Sequence, residues 1–130
     1  MSVDHPELPY TGETLLMAVT AAVVAFHERY HHRPPASART EMLDDELLAC
    51  VLGGVFTDVE KTLIEQQQAT LVQDARATFE RAMGARLIAE VERLSGRDVL
   101  LFVPNSHVGP DLDVKLFLLA PPVDDPPRAS

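Results

Sequence analysis

The segment His27-Glu28-Arg29-Tyr30-His31 matches the pattern H-E-x-x-H. On a helix, two histidines four residues apart share a face and can hold one zinc ion, while the glutamate between them polarises a bound water. Three features argue against that chemistry here. The pattern falls at the end of a helical stretch, His32 extends it into a plain histidine cluster, and a metalloprotease needs a cleft that 130 residues hardly supply. Glu41, Asp44 and His107 are the candidates for a third ligand, and nothing in the sequence fixes any of them beside the pair. The cluster therefore reads as solvated, with no metal, no cofactor and no catalytic residue assigned.

Arginine offers a second chemistry, because its planar fork suits carboxylate, bicarbonate or phosphate. A small-anion or metal-binding enzyme built from Arg33, Arg76 and the His27/His31 pair is the alternative, and it requires the two guanidinium groups to meet on one concave site. Arg76 and Arg81 stand among Asp74 and Glu80, where a solvated charged face is the default. No phosphate-cradling loop is present, since Gly53-Gly54 and Gly109 lack the needed neighbours. No Ser-His-Asp set can be proposed from spacing, because such residues meet in space.

The elements that would position these residues follow from periodicity. Gly12 to about His32 is an amphipathic helix, with Leu15, Leu16, Val19, Ala22, Val23 and Phe26 on its apolar face, stopped by Pro34-Pro35. Thr57 to Gly96 is a proline-free helical stretch. Thr57 and Glu60 form a capping box at its start, and Gly96 can take the left-handed conformation that ends it. Unbroken, it would run roughly 57 Å, too long for so small a domain. Its apolar residues Leu71, Ala75, Phe79, Met83, Leu87 and Val91 recur every four positions, so the stripe drifts around the helix. A bend, a break or a second layer of neighbours is required, with Gln66-Gln67-Gln68 the favoured break and Gly84 the other.

Ala36 to Gly54 reads two ways. Local propensity tips toward a helix, whereas Ala38–Leu43 and Leu47–Leu52 around Asp44-Asp45 would make a hairpin. Val99–Val103 and Val114–Leu119 are strands of an antiparallel hairpin, joined by a loop from Pro104 to Pro110. Residues 1–11 read as a flexible tail, 12–120 as one domain and the proline-rich 121–130 as a disordered tail.

Composition narrows the function classes. With 46% hydrophobic residues the chain supports one real core. A net charge of -9 argues against nucleic acid as a partner. The lone Cys50 lies in the apolar run Leu47–Leu52 and reads as a small buried hydrophobe. The longest apolar run, Leu15–Phe26, has 12 residues, short of the roughly 20 that cross a bilayer, and its upstream flank is acidic where a secretory signal is basic. A cytoplasmic protein without a membrane span is expected.

The order of short motifs adds to this. Phe26-x-x-x-Tyr30, Arg33-Pro34-Pro35, Leu52-Gly53-Gly54-Val55-Phe56-Thr57-Asp58-Val59-Glu60, Val72-x-x-x-Arg76, Val91 through Val99, and Val114-x-Leu116-Phe117-x-Leu119 follow one another. In order and spacing the chain resembles the MpsC-like domain over roughly residues 13–119. That family is described as a component of a sodium-translocating, membrane-potential-generating system. Where the family pattern has Gly-Arg-Gly-Pro this chain has His32-Arg33-Pro34-Pro35, keeping Arg33 and Pro35 and replacing both glycines. The family has no fixed histidines at positions 27 and 31, which weakens the zinc reading. Its segment equivalent to Ala38–Leu52 is rich in β-branched residues, which favours the hairpin.

The resemblance implies an α+β fold of order α-β-β-α(α)-β-β, with helices on one face of an antiparallel sheet and the long helix bent or broken. It also implies a soluble, non-catalytic accessory or regulatory subunit beside a membrane cation or inorganic-carbon transport system. Such a subunit acts through protein contacts, with Arg33, Pro35 and Arg76 as contact or ligand residues. The apolar stripe of the long helix is the expected contact surface, in a symmetric homodimer and possible contact with transport subunits. An assembly scaffold unrelated to transport is the third reading.

Overall fold

Leu15, Val19, Val23 and Phe26 fall three or four residues apart and make the buried stripe of α1 (Gly12–His31). The helix ends where His32 turns left-handed, φ 61°, just ahead of the two prolines. A computed structural model of the chain describes residues 7–104 and 110–122. The expected tail residues 1–6 and 123–130, and loop residues 105–109 with His107 among them, lie outside these. Tyr10, within the segment expected as a tail, donates its backbone N–H to the Leu94 carbonyl at 2.8 Å.

After α1 the chain forms the hairpin, not the helix that local propensity favours. β1 (Ser37–Leu43) and β2 (Leu47–Gly53) pair antiparallel with Thr40 opposite Cys50. The period of two decides it, because Leu48, Cys50 and Leu52 then all reach one buried face. Asp44 and Asp45 both adopt positive φ at the turn, a conformation that short acidic side chains tolerate.

The long helical stretch breaks at the glutamines. α2 (Asp58–Glu65) and α3 (Ala69–Ser95) are separated where Gln67 takes φ 66°, and the capping box at Thr57 and Glu60 is formed. Gly84 interrupts nothing. It sits buried within α3, where a Cβ would lie 3.6 Å from the Phe102 ring. β3 (Val99–Val103) and β4 (Leu112–Leu119) complete a four-stranded antiparallel sheet of order β1-β2-β4-β3. α1 lies over β1 and β2, α3 over β3, and the two helices pack on each other to enclose the core.

The sheet's second face carries no helix among the described residues. Both faces of β4 carry apolar residues: Asp113 and Lys115 point into the helix layer with Phe117 and Leu119, and Leu112, Val114, Leu116 and Leu118 point away from it. Beside them on the open face stand Leu47, Ala49 and Val51 of β2, half-buried, and Leu101 and Val103 of β3, 55% and 41% exposed.

Candidate functional site

The α3 side chains facing the interior are Val72, Arg76, Glu80, Gly84, Leu87 and Val91. In the first half of the helix this face lies one residue away from the expected apolar stripe. Leu71 is 54% exposed and Ala75 exposed, while Arg76, expected on a solvated face, is only 6% exposed. Arg81 does face solvent, where it donates to Thr78. Charged residues can occupy the inner positions because each meets a partner from another element.

Arg76 is the hub of the first group. Its Nε and Nη2 each lie 3.2 Å from an oxygen of Glu60, and Nη2 reaches the Val55 carbonyl at 3.4 Å. Its guanidinium stacks over the Phe56 ring, 4.8 Å from the centroid. Glu60 also accepts the Thr57 N–H at 3.0 Å, so the residue that caps α2 ties that helix to α3. Arg33 donates to the neighbouring Phe56 carbonyl, and Asp111 Oδ1 accepts from the N–H groups of Val55 and Phe56 at 2.6 and 2.9 Å. The turn is also sterically closed: Gly54 has φ 65°, and a Cβ there would meet the Ala36 Cβ at 2.5 Å.

Lys115 anchors the second group. It is 2% exposed, donates to Glu80 Oε2 at 2.8 Å, lies 3.1 Å from Asp113 Oδ2, and sits 5.5 Å from the centroid of Phe26. Between the two groups lies a cavity of about 20 Å³ bordered by His27, His31, Arg76, Glu80 and Lys115, with the Phe26, Tyr30 and Phe79 rings as walls. His27 Nε2 and Glu80 Oε1 are buried without a hydrogen-bond partner among the described residues. A polar space of that size accommodates a single water.

The histidines are not the solvated cluster their position suggests. They continue the buried stripe of α1, with ring centroids 4.1 Å apart, and burial pushes His27 down to about 4 and His31 to about 3. Both rings are neutral near pH 7. Burial raises the Glu80 carboxyl in spite of Lys115 beside it, and burial likewise raises the Cys50 thiol, toward which the Thr40 hydroxyl points at 3.2 Å. Glu28 is exposed while His27 and His31 are buried, so the parts of the H-E-x-x-H pattern fall on different sides of the helix. Among the described residues no group of three or more His, Cys, Asp or Glu is placed to hold a metal ion.

Arg33 and Arg76 converge on the carbonyls of adjacent residues, yet only Arg76 borders the cavity. Pro35 is half-buried in the connection between α1 and β1. Sequence reasoning missed Lys115, Asp113 and Glu80 as interior residues. Leu112, Val114, Leu116 and Leu118 read equally well as the inner face of β4, and the placement of Glu80 opposite Lys115 together with the burial of Phe117 and Leu119 decides it.

The family model described as "Na+-translocating membrane potential-generating system (MpsC)" matches residues 11–120. The chain belongs to the MpsC family. No curated protein and no solved structure is significantly similar to this MpsC chain. Among its described residues no helix is long and apolar enough to cross a membrane.

Proposed function

We propose that this MpsC protein is a non-catalytic accessory subunit of a sodium-translocating, membrane-potential-generating system, and that it acts through protein contacts made by the open face of its sheet. The observation that carries the reading is the outer face of β4. Leu112, Val114, Leu116 and Leu118 face away from the helices, while Asp113 and Lys115 lie inside beside Phe117 and Leu119. A contiguous apolar face of this kind is the mark of an interaction surface.

This assigns the contact surface to the sheet, and not to the long-helix stripe expected from periodicity, whose Leu87 and Val91 are core residues. The polar cluster supports the same reading, because the Arg76 guanidinium is engaged by Glu60, the Val55 carbonyl and the Phe56 ring. The described helices supply no transmembrane path, so ion passage is left to other components. The test is a Leu116→Asp variant in cells that depend on the system. Membrane potential should fall in the variant while its circular dichroism stays that of the parent; a folded variant that sustains full potential refutes the proposal.

A further inference from the structure

We propose that the open sheet face is covered by a second copy of this chain, the two sheets stacked about a two-fold axis that runs perpendicular to the strands. The inference rests on the reading of that face as the contact surface and names its occupant.

Strand register divides the face into four rows. Leu43, Leu47, Leu118 and Leu101 lie side by side at one end, followed by Glu41, Ala49, Leu116 and Val103. Then come Arg39, Val51 and Val114, and finally Ser37, Gly53 and Leu112. The midpoint falls at the level of Thr40, Cys50 and Lys115, whose side chains are buried on the other face.

A two-fold axis through that level, perpendicular to the strands, lays each strand over its own equivalent. Arg39 then faces the partner's Glu41 and Glu41 faces the partner's Arg39, both at the exposed β1 edge. Leu43 and Leu47 then fall on Ser37 and Gly53, large side chains on small ones, while Leu118 meets Leu112. An axis parallel to the strands would instead lay β1 over β3, setting Glu41 against Val103 and leaving Arg39 beyond the end of β3. That arrangement desolvates the Glu41 charge without a partner and is disfavoured. The self-complementary arrangement is also what an isologous interface requires.

Size places the interface in the transient class. Three strands of about seven residues and one of five, about 4.8 Å apart at about 3.3 Å per residue, give a footprint of roughly 410 Å² per copy. Two footprints come to about 800 Å², below the roughly 1,000 Å² of a firm interface, the size of a transient dimer that forms at high protein concentration.

Sedimentation equilibrium on the full chain tests this. The parent should be dimeric at high micromolar concentration and Leu116→Asp monomeric throughout, with unchanged circular dichroism. Val51→Lys, in the row that faces Ala49 across the two-fold axis, serves the same purpose if Leu116→Asp fails to fold. Arg39→Glu and Glu41→Arg should each weaken the dimer about tenfold, and the variant carrying both should recover most of the loss. A parent that stays monomeric, a dimer that survives the face substitutions, or a double variant no tighter than the single ones overturns the proposal. A monomeric parent whose membrane potential still depends on Leu116 removes the second copy as occupant and leaves the contact surface standing; a dimer whose potential does not depend on Leu116 does the reverse.

Discussion

Replacing Arg76 with methionine removes the charge that holds three elements together while keeping most of the side chain's apolar bulk. The buried Glu60 carboxylate then loses both guanidinium contacts, and the Val55 carbonyl and Phe56 ring lose their partner. Breaking one side of a buried ion pair costs about 3–5 kcal/mol. Glu60 keeps the Thr57 N–H, which sets the expected loss near the lower end, about 3 kcal/mol. Against a total of roughly 6–20 kcal/mol for a chain of this length, that is a large fraction, equivalent to a fall in Tm of about 10–15 °C. Urea unfolding followed by circular dichroism measures it, with Glu60→Gln as the second arm of a double-mutant cycle. Glutamine still serves as the third residue of a capping box, so the cycle isolates the ion pair. The double variant should be more stable than the sum of the single losses predicts, by at least about 1 kcal/mol. A loss below about 1 kcal/mol for Arg76→Met, or strict additivity with Glu60→Gln, would refute the placement of this pair at the centre of the fold.

Two further predictions concern the same region. Folding lowers His27 from 6.5 to about 4, so the unfolded chain binds the proton more readily. Its contribution, on the order of 3 kcal/mol, is present above pH 6.5 and lost as pH falls toward 4. Glu80, raised by burial, works in the opposite direction and offsets part of the loss. Stability measured across that range should decline in the parent and less steeply in His27→Gln; equal slopes would sink the assignment. Gly54→Ala should destabilise by more than about 1 kcal/mol, because φ is 65° and the added Cβ would strike Ala36; an unchanged urea midpoint would count against the closed turn.

What was legible in the sequence is what neighbouring residues decide among themselves. Thr57 and Glu60 close a capping box three residues apart, Gly96 ends α3 in the left-handed conformation, and Gln66–Gln68 break the stretch where no apolar side chain binds it to a core. The hairpin needed the family resemblance, because the Glu41–Leu43 and Leu47–Leu48 segments suit a helix until Leu48, Cys50 and Leu52 have a layer to pack beneath. The interior charges were not legible. Lys115 lies 35 positions from Glu80, and Arg76 16 from Glu60, so no local pattern announces either pair. The buried face of α3 shifts for the same reason: Phe79 packs half-buried at the edge of the core, and the fully buried position goes to Glu80, which meets Lys115. Once Asp113 and Lys115 are committed inward beside Phe117 and Leu119, strand alternation places Leu112, Val114, Leu116 and Leu118 outward, and the open face follows.

Site-specific photo-crosslinking in cells that carry the system tests that face directly. A photoreactive side chain at position 116, on the sheet, is compared with one at 71, on the exposed flank of α3. Adducts at 116, chiefly of doubled chain mass, with none at 71, are the predicted result. Adducts at 71 with none at 116 would show that the helix layer makes the contact and that the sheet face does not.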